Sequence, residues 1–212
     1  MPASANVKKS KKPLSDATKS ELTRQRILDS AARVFAQRGY AHTRLIDVAR
    51  EAQSHAGGIY YYFASREALV EELLSISTQR SVSLVREALQ ALRSDATTFE
   101  KLRTAITAQL TSLLAGDSYN IAFNKIYPQV PETILDRHRT ILREYFEIWR
   151  DIIRQGQAQG EIRADVDAAV MRLTIVGSIQ WAVEWARPQN SSAEILGEQM
   201  ANVFFSGIKA EK

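Results

Sequence analysis

The sequence predicts an all-α protein, and three observations carry that expectation. Apolar residues recur three and four apart in segment after segment from about residue 20 onward, the spacing of one helix face. No stretch alternates apolar and polar residues as a half-buried strand would. Gly and Pro, which punctuate helices, fall at the ends of the apolar stripes, as at Gly39, Gly116, Gly160, Pro131 and Pro188. The pair Gly57-Gly58 falls inside a predicted helix instead.

In order along the chain, residues 1–18 are poor in apolar side chains, carry KKSKK, and read as a disordered basic arm. A first helix begins near Ser20, places Ile27, Ala31, Val34 and Phe35 on one face and stops at Gly39. Thr43 is a good N-cap for a short helix through Leu45, Ile46, Val48 and Ala49 to Glu51, and Ser54 for a third. Ser65 caps a fourth, with Leu69, Leu73 and Ile76 buried, and Val82, Val85, Leu89 and Leu92 continue it or begin its successor. Phe99, Leu102, Ile106, Leu110 and Leu113 form another stripe. A long helix follows Pro131, with Ile134, His138, Ile141, Tyr145, Ile148 and Ile152 flanked by Leu135, Leu142 and Trp149. Asp165 caps the next, which runs to Arg187, and Ser191 with Glu194 forms a capping box for the last.

Charge is unevenly spread. The chain is +4 overall, yet residues 1–64 hold eleven Lys or Arg against five Asp or Glu, and the remainder is slightly acidic. A basic first third beside an acidic body points to a polyanionic partner, nucleic acid before membrane because no basic amphipathic anchor is visible. There is no cysteine, so disulfides and thiolate sites are excluded. No apolar signal segment or spanning run appears, which predicts a cytoplasmic protein. His42, His55 and His138 are scattered. Glu144, Glu147 and Asp151 share a helix face without the Glu-x-x-His pairs of a carboxylate metal bundle, and no nucleophile or phosphate-loop motif is present. The expectation is no enzyme, no metal and no cofactor.

Each glycine in SHAGGIYYYF costs a helix about 1 kcal/mol relative to alanine. That cost has a use if the helix is the second of a helix-turn-helix, where a bare first turn at Ala56, Gly57 and Gly58 lets the backbone approach the major groove. RQRILDSAARVFAQRGYAHTRLIDVAREA followed by GGIYYYFASREALVEELL resembles the DNA-binding domain of the TetR family of bacterial repressors over about residues 23–74. That resemblance implies a helix-turn-helix domain at 19–66 and a ligand-binding and dimerisation domain at 67–212. It implies that Thr43 and Arg44 bind phosphate, that Ser54, His55, Ala56, Gly57, Tyr60 and Tyr61 face the groove or its walls, and that Arg66 neutralises a phosphate. Tyr62 and Phe63 read as core. Where the family has Gly-Val-Ser-Lys, this chain has Gln53-Ser54-His55-Ala56, which puts the turn geometry in doubt and removes a phosphate-binding lysine. His55, or Lys8, Lys9, Lys11 and Lys12 of the arm, are the replacements at hand.

The apolar segment DVDAAVMRLTIVGSIQWAVEWARP, with AEILGEQMANVFFSGI, resembles the family's dimer interface, which implies a homodimer through the last two helices on a palindromic operator. GEIRADVD and WAVEWARP also resemble members that respond to acyl-CoA thioesters, over about residues 145–207. That likeness implies an acyl site among Phe99, Leu102, Ile106, Phe123, Ile126, Leu142, Phe146 and Trp149. Arg163, Arg172 and Arg187 would meet CoA phosphates, and Trp181 or Trp185 its adenine. Two alternatives stand: a ligand-independent architectural DNA binder, and a regulator sensing an unrelated hydrophobic compound.

Overall fold

The computed structural model describes residues 16–185 and 192–210. Those residues form helices α1 (Asp16–Arg38), α2 (Leu45–Glu51), α3 (Ala56–Tyr62), α4 (Arg66–Gln90), α5 (Thr98–Leu114), α6 (Ser118–Ile126), α7 (Glu132–Ala158), α8 (Ala168–Trp185) and α9 (Ala193–Ile208), with a 3₁₀ turn at Tyr127–Gln129. Among them the sole β pairing is an isolated bridge between Ile162 and Lys209. No helix is long and apolar enough to cross a membrane.

The helix ends follow the sequence signals with small displacements. α1 starts at Asp16, four residues before Ser20, so residues 16–18 extend the helix rather than the arm; the rest of the arm lies outside the described residues. Gly39, Gly116 and Gly160 all take positive φ after a helix end. Ser65 accepts from the Ala68 amide at 3.1 Å, and Thr97 forms a capping box with Glu100. Four caps move. Arg44, not Thr43, is the N-cap of α2; His55, not Ser54, that of α3. Asp167, not Asp165, accepts from the Ala169 and Val170 amides at the start of α8, and Ser192, one residue after Ser191, caps α9.

Two apolar cores divide the molecule. The first packs α1, α2, α3 and the N-terminal half of α4 around Phe35, Ile59, Phe63 and Leu73. It is completed from outside the helix-turn-helix by Tyr119, Ala122 and Ile126 of α6, then Val130 and Ile134. The second unites the C-terminal halves of α4 and α7 with α5, α8 and α9 around Leu102, Ile106, Trp149 and Ile175. α4 and α7 run through both, and α6 lies along α1. A short helix on the body thus finishes the core of the DNA-binding unit.

α9 packs close on α5 at Gly197. A Cβ added at Gly197 would lie 2.1 Å from Thr107 Oγ1 and 3.1 Å from Thr107 Cα. Gly197→Ala is therefore expected to destabilise by about 1–3 kcal/mol in urea unfolding, although alanine is the better helix former. Equal or higher stability would show that α9 does not sit this close to α5.

Candidate nucleic-acid interface and effector cavity

The turn between α2 and α3 keeps its shape without glycine. Gln53 takes φ +50, the left-handed conformation that costs a non-glycine residue about 1–2 kcal/mol. Ser54 then packs on Gly58, where an added Cβ would meet its Oγ at 2.8 Å, while one at Gly57 would have no neighbour within 4 Å. The two glycines have different causes: Gly58 accommodates the turn, and Gly57 leaves the outer surface of α3 bare. Beside it Tyr60 is 58% and Tyr61 80% exposed, whereas Phe63 is buried and Tyr62 half-buried against the first core. His55 is exposed at the start of α3; of Ala56 only the backbone is described.

The residues assigned to phosphate separate. Arg44 is exposed and has no ion-pair partner among the described residues. Its amide donates to Asp47 Oδ2 at 3.0 Å, a bond that, with Arg38 beside the carboxylate, holds the Asp47 carboxyl below its ordinary range. Thr43 requires correction: it is fully buried, and its hydroxyl donates to the Gly39 carbonyl at 2.7 Å, so the side chain ties the α1 stop to α2 and is withdrawn from the surface. Arg66 is similarly engaged. It lies 4.1 Å over the Tyr40 ring and donates to the Tyr40 and Thr43 carbonyls at 3.4 and 3.2 Å. Its first role is to fasten the α1–α2 connection to α4, and only its remaining guanidinium hydrogens face outward.

A cavity of about 200 Å³ opens in the body between α4, α5, α6, α7 and α8. Phe123, Leu142, Phe146 and Arg172 line it, as their assignment to a ligand site requires. The other predicted members stand elsewhere because they satisfy the cores. Leu102, Ile106 and Trp149 are fully buried in the second core and Ile126 in the first. Phe99 packs edge-on against Phe205 at 5.5 Å, and Arg163 pairs on the surface with Asp165 at 3.1 Å. Trp181 is 67% exposed beside a second, shallower cleft near Lys125 and Pro128. The Trp185 side chain and the whole of Arg187 lie outside the described residues.

Sequence reasoning missed most of the polar wall. Ser77, Thr78 and Ser81 of α4, Gln109 of α5 and Asn120 of α6 line the cavity and are all buried. Ser77 donates to Asn120 Oδ1 at 3.2 Å, Gln109 to Ser81 at 3.3 Å, and Thr78 Oγ1 lies 3.0 Å from His138 Nε2. Burial, opposed only in part by the charge of Glu71, lowers the His138 pKa to about 4, so the imidazole is neutral. α4 carries charged and polar residues over much of its surface, so the spacing 77, 78, 81 does not stand out in the sequence. At the cavity edge Arg172 sits 4.1 Å over the Phe146 ring with its Nε buried and unpaired. Burial and the neighbouring charge of Arg150 lower its pKa, opposed in part by the Glu147 carboxylate.

A helix-turn-helix with a bare recognition surface, joined to a helical body that holds a lined cavity, defines a ligand-responsive DNA-binding transcriptional regulator. Residues 27–73 match the model of bacterial regulatory proteins of the tetR family, and residues 95–208 that of the tetracyclin repressor-like C-terminal domain. The chain belongs to the TetR family. It is 26% identical over 201 residues to the transcriptional repressor KstR2 of Rhodococcus jostii, covering 92% of this chain and 96% of that relative. Bacillus subtilis FadR, solved with stearoyl-CoA, is 27% identical with a TM-score of 0.72, over 87% of this chain and 98% of that one. AibR, solved with isovaleryl coenzyme A and operator DNA, shares the fold at 20% identity and a TM-score of 0.73, over 88% and 97%.

Two outcomes are expected. Gly57→Leu fits the free protein without a clash and gains helix propensity of up to about 1 kcal/mol, yet should weaken DNA binding by keeping α3 out of the groove. Thermal melts and operator titration should therefore move in opposite directions; tighter binding by a folded variant would overturn the role given to Gly57. For His138, the unfolded side chain titrates near 6.5 and the folded one near 4, so the unfolded chain binds more protons between those values. Stability should fall as pH drops through that window, by up to about 3 kcal/mol. Urea unfolding at pH 7 and pH 5 should show this slope, and His138→Gln should lose it.

Proposed function

We propose that the chain is a homodimeric repressor that holds a palindromic operator through α3 and releases it when an acyl-CoA thioester enters the cavity. The observation that carries the reading is the double use of α6. Its Asn120, Phe123 and Asn124 line the cavity, while Tyr119, Ala122 and Ile126 pack into the core of the DNA-binding unit. Anything that displaces the first set moves the second.

The acyl-CoA assignment draws on the relatives solved with CoA thioesters and on Arg172, a cation with an unpaired buried nitrogen beside the cavity. Dimerisation through α8 and α9 is supported by the apolar side chains these helices expose, Val170, Leu173 and Trp181 on one and Ile195 and Val203 on the other. Large apolar side chains left in water on both helices are what a second copy would cover. A two-fold dimer places its α3 helices on successive turns of the major groove, in the cytoplasm where an operator lies. On the DNA side, Arg44 is the free phosphate-binding cation, and Tyr60, Tyr61, His55 and the bare turn at Gly57 face the groove.

Two measurements test this reading. Log operator affinity should fall linearly with log salt, by about 0.9 per phosphate neutralised, and Arg44→Ala should flatten the slope by about 1 with sequence preference kept. Arg66→Ala should lower stability first, because it unfastens two carbonyls. Acyl-CoAs of increasing length, titrated by calorimetry with and without operator, should bind more weakly to the operator complex. A 100-fold release requires the effector to favour the released state by about 2.7 kcal/mol, and operator must weaken effector binding by the same factor. Tight binding indifferent to operator would favour a ligand-independent architectural protein instead.

A further inference from the structure

Nine polar or charged residues are buried among the described residues, and six of them, Ser77, Thr78, Ser81, Gln109, Asn120 and His138, stand together at one wall of the cavity. A pocket for a plain hydrocarbon tail has no use for such a wall. An alkyl occupant would exclude water and offer these dipoles no partner. Most of them pair with one another, as described above. Gln109 does not close its account: it is 8% exposed, its Nε2 donates to Ser81, and its Oε1 has no partner. Turning the amide over lets Ser81 donate instead and leaves the nitrogen unpaired, so either orientation leaves one amide atom without a bond.

Resting on the reading of this cavity as the effector site, we infer that the buried part of the effector carries a hydroxyl or keto oxygen and that Gln109 selects it. A hydroxyl donates to the amide oxygen or accepts from the nitrogen, and a keto oxygen accepts from the nitrogen in the turned amide. Ser81, bonded to Gln109, serves either orientation, because its hydroxyl both accepts and donates. The cavity itself holds about 200 Å³, enough for a compact oxygenated acyl group, and the adjoining cleft, which shares Phe123, Asn124, Tyr127 and Gln180 with it, leaves room for the rest of a thioester. A site built around a hydrogen bond to a ligand oxygen rejects the analogue lacking it far more strongly than an apolar pocket rejects one methylene.

The test compares octanoyl-CoA with 3-hydroxy-, 3-oxo- and 8-hydroxyoctanoyl-CoA, together with the corresponding free acids, by calorimetry on the full-length dimer. At least one oxygenated thioester should bind tenfold or more tightly than octanoyl-CoA. Gln109→Leu should bring that ratio to within twofold of one, and Ser81→Ala should lower it. Octanoyl-CoA equal to or tighter than all three on the wild-type protein overturns the inference whether or not either variant folds, and leaves the thioester reading standing. An undiminished preference in folded Gln109→Leu overturns the role of that residue. Oxygenated free acids that bind while every thioester is silent would support the polar selectivity and remove the thioester. Silence throughout would remove both.

Discussion

The structure depends on the seating of α6 against α1. Ala122 and Ile126 are fully buried in that contact, the Tyr119 hydroxyl donates to Asp29 at 2.8 Å, and Lys125 Nζ donates to the Gln37 carbonyl at 2.7 Å. Burial, reinforced by the Asp29 charge, raises the Tyr119 hydroxyl well above its ordinary pKa, so the phenol stays a donor. Arg80 lies 3.9 Å over the same ring, which brings α4 into the joint. Past the end of α6, the Gln129 side chain accepts from the Ala41 amide at 3.4 Å, close under Gly39. A nine-residue helix therefore touches the stop of α1, the base of the helix-turn-helix and the cavity wall. Packed interfaces of this kind hold discrete arrangements rather than sliding freely, which is what a ligand-driven switch needs.

That joint also explains why the DNA-binding unit is more than its helix-turn-helix. The unit's core takes Val130 and Ile134 as well as α6, and α4 continues from it into the body without a break. Thr43 and Arg66 serve the same rigidity from the other side, by satisfying carbonyls where α1 turns into α2. Their polar groups are spent on fastening the connection between α1 and α2, in the case of Arg66 to α4. Arg44, His55, Tyr60 and Tyr61 stay exposed around Gly57, on the surface that we propose meets DNA.

Much of this was legible in the sequence, and the illegible parts share a cause. α1 to α5 and α7 to α9 followed from apolar spacing and punctuation, with four caps displaced by one or two residues: Asp167 and Ser192 take the first amides of α8 and α9, while Arg44 and His55 stand at the N-caps of α2 and α3 with no side-chain cap bond. α6 has no such frame. Its nine residues carry no cap signal stronger than Asp117, and Phe123 and Ile126 read as one apolar pair although Phe123 also lines the cavity while Ile126 is fully buried in the first core. The cavity's polar wall was invisible for the opposite reason. Ser77, Thr78, Ser81 and Gln109 look like surface residues until α5, α6 and α7 close over them. Trp149 and Leu102, assigned to ligand, are claimed by the second core, a choice between cavity and packing that only tertiary placement decides. The turn at Gln53 shows tertiary context overriding a residue preference: the left-handed conformation persists without its glycine.

The central claim is that cavity occupancy moves the recognition helices through α6. Because the chain has no cysteine, Tyr61→Cys places a single spin label on the outer face of α3 in each subunit. In the proposed dimer, pulsed electron paramagnetic resonance then gives the distance between the two α3 helices. Saturation with an acyl-CoA shown by calorimetry to bind should shift that distance distribution away from the one found on operator DNA, and Ala122→Leu, which wedges α6 off α1, should produce a similar shift without ligand. A cavity filled to saturation with the distribution unchanged would contradict the account.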